Sequence, residues 1–253
     1  MNQICSIPLV QHRFLISATP VCYFDEVQGP GFQRARSTEA KHLREVAILD
    51  AARRLGAERG IRQVTLTEIA QEVGMHKSAL LRYFETREEI FLRLTAEAWR
   101  EWSGALRAEL EMLTSPSPAA VAAVFAGTLA SRGSFCDLLA QAPLNLERNV
   151  SVEVVRAFKL VPLGEVDAIA LMVRSLLPTL SGPDAVDLIA SATSLSGAFW
   201  QMATPGPEIA ALYRNDPRLS HAVVDVELCV QRLLTALIHG MLAQAPGAAS
   251  VVH

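Results

Sequence analysis

Between Gly74 and Phe84 the chain carries His76, Lys77, Ser78 and Arg82, with Arg87 shortly beyond, and no aspartate or glutamate. These side chains are hydrogen-bond donors of the kind that grip phosphate oxygens and read base edges. A merely solvated face would more often mix in acidic residues. The chemistry in view is recognition of a polyanion, not bond-breaking.

Catalytic signals are missing by comparison. His12, His42, His76, His221, His239 and His253 form no H-E-x-x-H and no metal spacing, and neither a phosphate-cradling loop nor a dinucleotide fingerprint occurs. An enzyme is therefore not expected, and neither is a cofactor or metal. Cys5, Cys22, Cys136 and Cys229 are scattered without C-x-x-C spacing, which points to a reducing cytoplasm and not to a disulfide framework or zinc site.

Helices must position the cationic residues. A first helix is expected from Ser37 to Arg59, with Ile48, Ala51, Ala52 and Leu55 on one face and Gly60 as its stop. Thr65 and Glu68 have the spacing of a capping box that opens a second helix, ending at Val73 and Gly74. A third helix is read from Lys77 to Phe84. Thr86 with Glu89 forms another capping box at the head of a long fourth helix.

Ile69, Ala70, Val73, Gly74, Met75, Leu80 and Tyr83 fall where two helices of a helix-turn-helix must cross closely and share a core. Gly74 sits where the turn calls for positive φ, which glycine adopts without steric cost. An ordinary three-helix knot inside a larger α-protein would carry similar punctuation. The acid-free cationic face favours the helix-turn-helix.

The segments Ile48–Leu55, Thr65–Ala70, Gly74–Phe84 and Arg87–Phe91 together resemble the signature of the TetR family of transcriptional regulators. The resemblance implies phosphate contacts from Thr65 and Thr67 at the start of the second helix. It implies that Lys77, Ser78 and Leu81 face the major groove, flanked by His76 and Arg82, with Tyr83 and Arg87 on the DNA backbone. Family members usually carry tyrosine where this chain has Leu81. The resemblance further implies double-stranded DNA with a palindromic operator as partner, a homodimer, and repression by default.

The rest of the chain reads as helices cut by proline and glycine at Ser115–Pro118, Pro143, Pro162–Gly164, Pro178–Pro183, Thr204–Pro207 and Pro217. Ile90, Leu94, Ala98, Trp102, Leu106, Leu110 and Leu113 form a stripe that makes the fourth helix the bridge between domains. The expected fold is all-α: a three-helix helix-turn-helix DNA-binding domain followed by a helical-bundle ligand-binding and dimerisation domain. The expected boundaries are 1–36 for a poorly ordered N-terminal extension, 37–86 and 87–245 for the two domains, and 246–253 for a C-terminal tail.

Trp99, Trp102, Phe125, Phe135, Leu139, Met172 and Trp200 are the bulky residues best able to line an apolar cavity for a small-molecule effector, with Asn145, Arg148 and Gln201 as interior polar groups. Helices near Pro183–Met202 and Leu219–Ala243 are candidates for a dimer bundle, or could equally pack within one subunit; the spacing of two recognition helices favours the dimer. The first offers the small residues Ala190, Ser194, Gly197 and Ala198. The second offers Val226, Val230, Leu233, Leu234, Leu237 and Met241.

Charge supports this division. Ten basic residues face eight acidic ones from Lys41 to Arg93, whereas ten face fifteen from Leu94 to His253. Only the first segment suits phosphates. Uninterrupted apolar runs such as Ala119–Ala130 are shorter than the ~20 residues a bilayer requires, so no membrane partner is expected. The reading is a cytoplasmic, sequence-specific regulator released by a largely apolar ligand. Its alternative is a constitutive or protein-partner-controlled regulator.

Overall fold

The computed structural model describes the backbone of residues 30–244 and the side chains from residue 38. The expectations for residues 1–29 and for the tail 246–253 lie outside the described residues. Ten α-helices occur among them: α1 (Pro30–Arg59), α2 (Leu66–Glu72), α3 (Lys77–Leu80), α4 (Arg87–Glu111), α5 (Pro118–Ala130), α6 (Gly133–Gln141), α7 (Val152–Leu176), α8 (Gly182–Ala203), α9 (Pro207–Asn215) and α10 (Val226–Gln244). No strand occurs among the described residues. The all-α expectation holds, although α1 begins at Pro30, inside the segment read as an extension.

Two cores lie on α4. Its first turns bury Ile90, Phe91, Leu92 and Leu94 against Ile48, Ala52, Ile69 and Leu80 of the three preceding helices. Its later turns bury Trp102, Leu106 and Leu110 in a second core with α5, α7, α8 and α10. Full burial of side chains this large stabilises by about 1.5–3 kcal/mol each. A single stripe at helical spacing therefore ties both cores to one rigid rod.

In the second core, Val226, Val230, Leu234 and Ile238 of α10 turn inward, as do Val121, Phe125 and Leu129 of the neighbouring α5. Gly197 of α8 meets α6: a Cβ there would lie 3.0 Å from the Ala140 nitrogen and 3.3 Å from the Cys136 oxygen. That glycine, expected at a dimer contact, is used inside the subunit instead.

Two expectations need correcting. Pro162–Gly164 does not end a helix. Pro162 lies inside α7, where Phe158, Val161, Ile169 and Val173 pack on both sides of it and override the missing N–H. The last helix begins at Val226, not near Leu219, because residues Pro217–Ala222 form a separate 3-10 segment. Among the described residues α10 is, by length and composition, long and apolar enough to cross a membrane, although Glu227 and Arg232 interrupt it and core helices share that property.

Candidate nucleic-acid interface

Thr65 caps α2 as its spacing predicts. Its hydroxyl accepts from the Glu68 N–H (3.3 Å) and donates to Glu68 Oε2 (2.8 Å), while the Thr65 N–H donates back to the same carboxylate (2.8 Å). Those two bonds, with Arg59 at 2.8 Å, hold the Glu68 carboxyl down from 4.5 to about 2. The Thr65 hydroxyl is thus already engaged by the cap. Thr67, two residues beyond the cap, is exposed, and its hydroxyl makes no hydrogen bond among the described residues.

The helix ends in a turn built on Gly74, whose φ is +66°. Met75 N–H returns to the Ala70 carbonyl (2.8 Å) and Gly74 N–H to that of Gln71 (3.0 Å), the paired bonds of a Schellman stop. Nothing lies within 4 Å of a Cβ built on Gly74. Glycine is required there by backbone conformation alone, as the sequence suggested.

His76 then caps α3, and its Nδ1 lies 2.8 Å from Ser78 Oγ and 3.4 Å from the Ser78 nitrogen. Two expected readers therefore hold each other. The helix expected from Lys77 to Phe84 is one α-turn, after which Arg82 N–H and Tyr83 N–H bond three residues back to Ala79 and Leu80. Leu80 is buried beneath it and Tyr83 packs half-buried on the same core. Lys77, Ser78, Leu81 and Arg82 remain exposed on the outside, with Leu81 45% exposed.

Most other cations of this region are occupied. Arg53 pairs with Asp50 and with Glu97 (2.8 Å), Arg54 with Glu72 (3.0 Å), and Arg59 with Glu68 (2.8 Å). Among the described residues no carboxylate pairs with Lys77 or Arg82. Arg87, expected on the DNA backbone, instead turns inward. It donates to the carbonyls of Ile61 and Val64, pairs with Glu88 (2.9 Å), and lies 4.8 Å from the Phe91 ring centre. A part-buried guanidinium with these donors spent positions the connection between α1 and α2.

The residues expected to line a ligand cavity separate into two groups. Trp99, Trp102, Phe125 and Phe135 pack edge-on or tilted against one another, with ring centres 5.4–6.2 Å apart. The Trp102 indole N–H donates to Thr128 Oγ1 (3.1 Å). The rings thereby fill the space they were expected to border, because edge-to-face contact satisfies them as core. Leu139, Met172 and Trp200 are partly buried around that core. Of the seven, Phe135 borders a cleft of about 400 Å³ floored by Leu94, Ala98 and Leu138, and Trp200 borders a separate one of about 520 Å³. The polar groups Asn145, Arg148 and Gln201 are all exposed, not interior. Asn145 donates to Gln141 Oε1 and Gln201 to Asp137.

A short capped helix, a glycine stop and a cationic second helix over a shared core, in front of a larger helical domain, define a helix-turn-helix transcriptional regulator. The family models are more specific. "Bacterial regulatory proteins, tetR family" matches residues 48–94, and "Tetracyclin repressor-like, C-terminal domain" matches residues 96–245. The chain belongs to the TetR family of transcriptional regulators. No curated protein matches it. Several solved structures share the fold. The fatty acid degradation regulator FadR from Bacillus halodurans is 14% identical, with TM-score 0.50, covering 76% of this chain and 93% of its own. A tetR-family regulatory protein from Rhodococcus RHA1 is 15% identical, with TM-score 0.51, covering 78% and 96%. Thermus thermophilus FadR, a TetR-family repressor solved in complex with lauroyl-CoA, is 22% identical, with TM-score 0.50, covering 80% and 99%.

Proposed function

We propose that this regulator is a sequence-specific repressor that binds a palindromic operator as a homodimer. The observation that carries the reading is the outward face of α3 and the turn after it, where Lys77 and Arg82 are exposed and, among the described residues, free of carboxylate partners. Lys77, Ser78 and Leu81 read base edges, Arg82, Tyr83 and Thr67 meet the phosphate backbone, and His76 shapes the start of the helix. Thr65 and Arg87 act indirectly, by capping α2 and by holding the connection ahead of it. Selection of bound duplexes from a random pool tests this. The expected product is a two-fold site with half-sites about 34 Å apart.

A second apolar face supports the dimer. Leu237 and Met241 of α10, partly buried at the edge of the inward row Val230, Leu234 and Ile238, border an open groove with the small residues Ala190 and Ser194 of α8, and Leu233 on the same helix is exposed. This pairing also gives α10 a role as a core and interface helix of a cytoplasmic protein.

Release by a largely apolar small molecule is the family-level reading of the second domain, and the Thermus thermophilus relative was solved with lauroyl-CoA. In this chain Ser196 Oγ is a buried polar atom without a hydrogen-bond partner among the described residues. The packed ring cluster around Trp102 favours the second reading, a regulator governed constitutively or by a protein partner. Titrating acyl-CoA thioesters and aromatic acids against a fluorescent operator complex separates the two. Ligand control requires release at micromolar concentration, and unchanged binding across every class favours the second reading.

A further inference from the structure

Asp137 on α6 is 8% exposed, and its two oxygens accept from two different parts of the chain. Oδ2 takes the backbone N–H of Ile61 at 2.8 Å, and Oδ1 takes the side-chain Nε2 of Gln201, on α8, at 2.8 Å. No Lys, Arg or His pairs with this carboxylate among the described residues. A carboxylate withdrawn from water without a cation is costly and depends on such bonds. An apolar residue would serve the packing of α6 at less cost.

What Asp137 holds is the six-residue connection between α1 and α2. Gly60 leaves α1 with φ +83° and ψ 147°, a region essentially confined to glycine. The next N–H, that of Ile61, goes to Asp137, while the Ile61 carbonyl and that of Val64 accept from Arg87 at the head of α4. The Ile61 side chain is 3% exposed. The connection is therefore gripped at both the N–H and the carbonyl of one residue, Ile61, and delivers the chain directly to Thr65, the cap of α2. Asp137 and Gln201 also border the cleft of about 520 Å³ with Arg62, Gln141 and Trp200. Their contact is not sealed by packing and can be remade within the folded chain.

We propose that Asp137 is a positioning residue for DNA binding: by gripping the Ile61 N–H while Gln201 grips its other oxygen, it sets the helix-turn-helix against α6 and α8. A shift of either helix reaches α2 and α3 through this carboxylate. This rests on the DNA-facing reading of residues 65–82.

The test uses the full chain with Asp137→Ala, Asp137→Asn and Gln201→Leu. Three quantities are measured: amide exchange at Ile61, thermal unfolding, and affinity for the duplex that the unaltered chain selects from a random pool. Loss of the buried bond from the Ile61 N–H predicts Ile61 exchange about tenfold faster, or more, in Asp137→Ala, and loss of the part-buried bond that orients the carboxylate predicts a smaller but measurable increase in Gln201→Leu. Core amides such as that of Leu106 should shift only with global stability. Duplex affinity should fall about tenfold at a temperature where each variant is fully folded, and Asp137→Asn, which keeps an acceptor oxygen, should restore part of both. Should Asp137→Ala fail to fold, the other two variants decide. Unchanged Ile61 exchange in Gln201→Leu, or full affinity in folded variants with faster exchange, overturns the proposal. If the unaltered chain selects no duplex, the DNA-facing reading falls and the positioning role with it, while Ile61 exchange still reports whether the grip exists.

Discussion

Replacing Arg82 by glutamine should change how DNA binding responds to salt, by an amount the structure sets. Arg82 is exposed and has no carboxylate partner among the described residues, unlike Arg53, Arg54 and Arg59, whose charges are already compensated. A cation that neutralises one phosphate contributes about 0.9 to the slope of log affinity against log salt concentration. Two copies in a dimer contribute about 1.8, so from 50 to 200 mM salt the unaltered protein should lose about twelvefold more affinity than Arg82→Gln. Fluorescence anisotropy titrations at several salt concentrations on the selected duplex measure this. Arg54→Gln, which removes a paired charge, serves as the control and should change the slope less. Equal slopes for Arg82→Gln and the unaltered chain would refute the placement of Arg82 on a phosphate, and a change near 0.9 would refute binding as a dimer.

Other consequences follow from single residues. Gly74→Ala should cost about 1–2 kcal/mol in urea unfolding, because φ +66° is unfavourable for alanine and no neighbouring atom adds a clash; Gly74→Asn should cost less. The Glu68 carboxyl, lowered to about 2 by its bonds to Thr65 and Arg59, stabilises the fold above its ordinary value of 4.5. That contribution is lost as pH falls through about 2, so Glu68→Gln should flatten the acid limb of stability between those values, and an unchanged limb counts against the cap geometry. Burial pushes the Cys136 thiol up to about 12, so a thiol reagent at pH 8 should modify Cys229 well before Cys136 in the folded chain, as peptide mapping would show.

Where a local rule and tertiary packing point the same way, the sequence was readable. Thr65 with Glu68, Gly74, and the stripe from Ile90 to Leu110 each rest on contacts within a few residues or on one helical period, and each appears as expected. Thr86 half-fulfils its pattern: its hydroxyl caps the Glu89 N–H, but the Glu89 carboxylate reaches back to the Glu85 N–H instead of that of Thr86. Pro162 misled because packing on both sides outweighs one lost hydrogen bond. Arg87 misled because its partners are carbonyls 23 and 26 residues away, which no spacing rule reaches. Asp137 carried a weak signal, a lone acid within Phe135-Cys136-Asp137-Leu138, yet its partners lie 76 and 64 residues away. The ring cluster was legible as aromatic and apolar, but composition does not distinguish rings that border a void from rings that fill one.

The central claim is that the exposed face of α3 reads DNA. The direct measurement is duplex selection carried out in parallel with the unaltered chain and with Lys77→Ala. The account predicts that the unaltered chain enriches a palindrome with half-sites about one helical turn apart, and that Lys77→Ala enriches a site altered at one position of each half. Enrichment of no sequence by the unaltered chain, or of an identical site by both proteins, would contradict it.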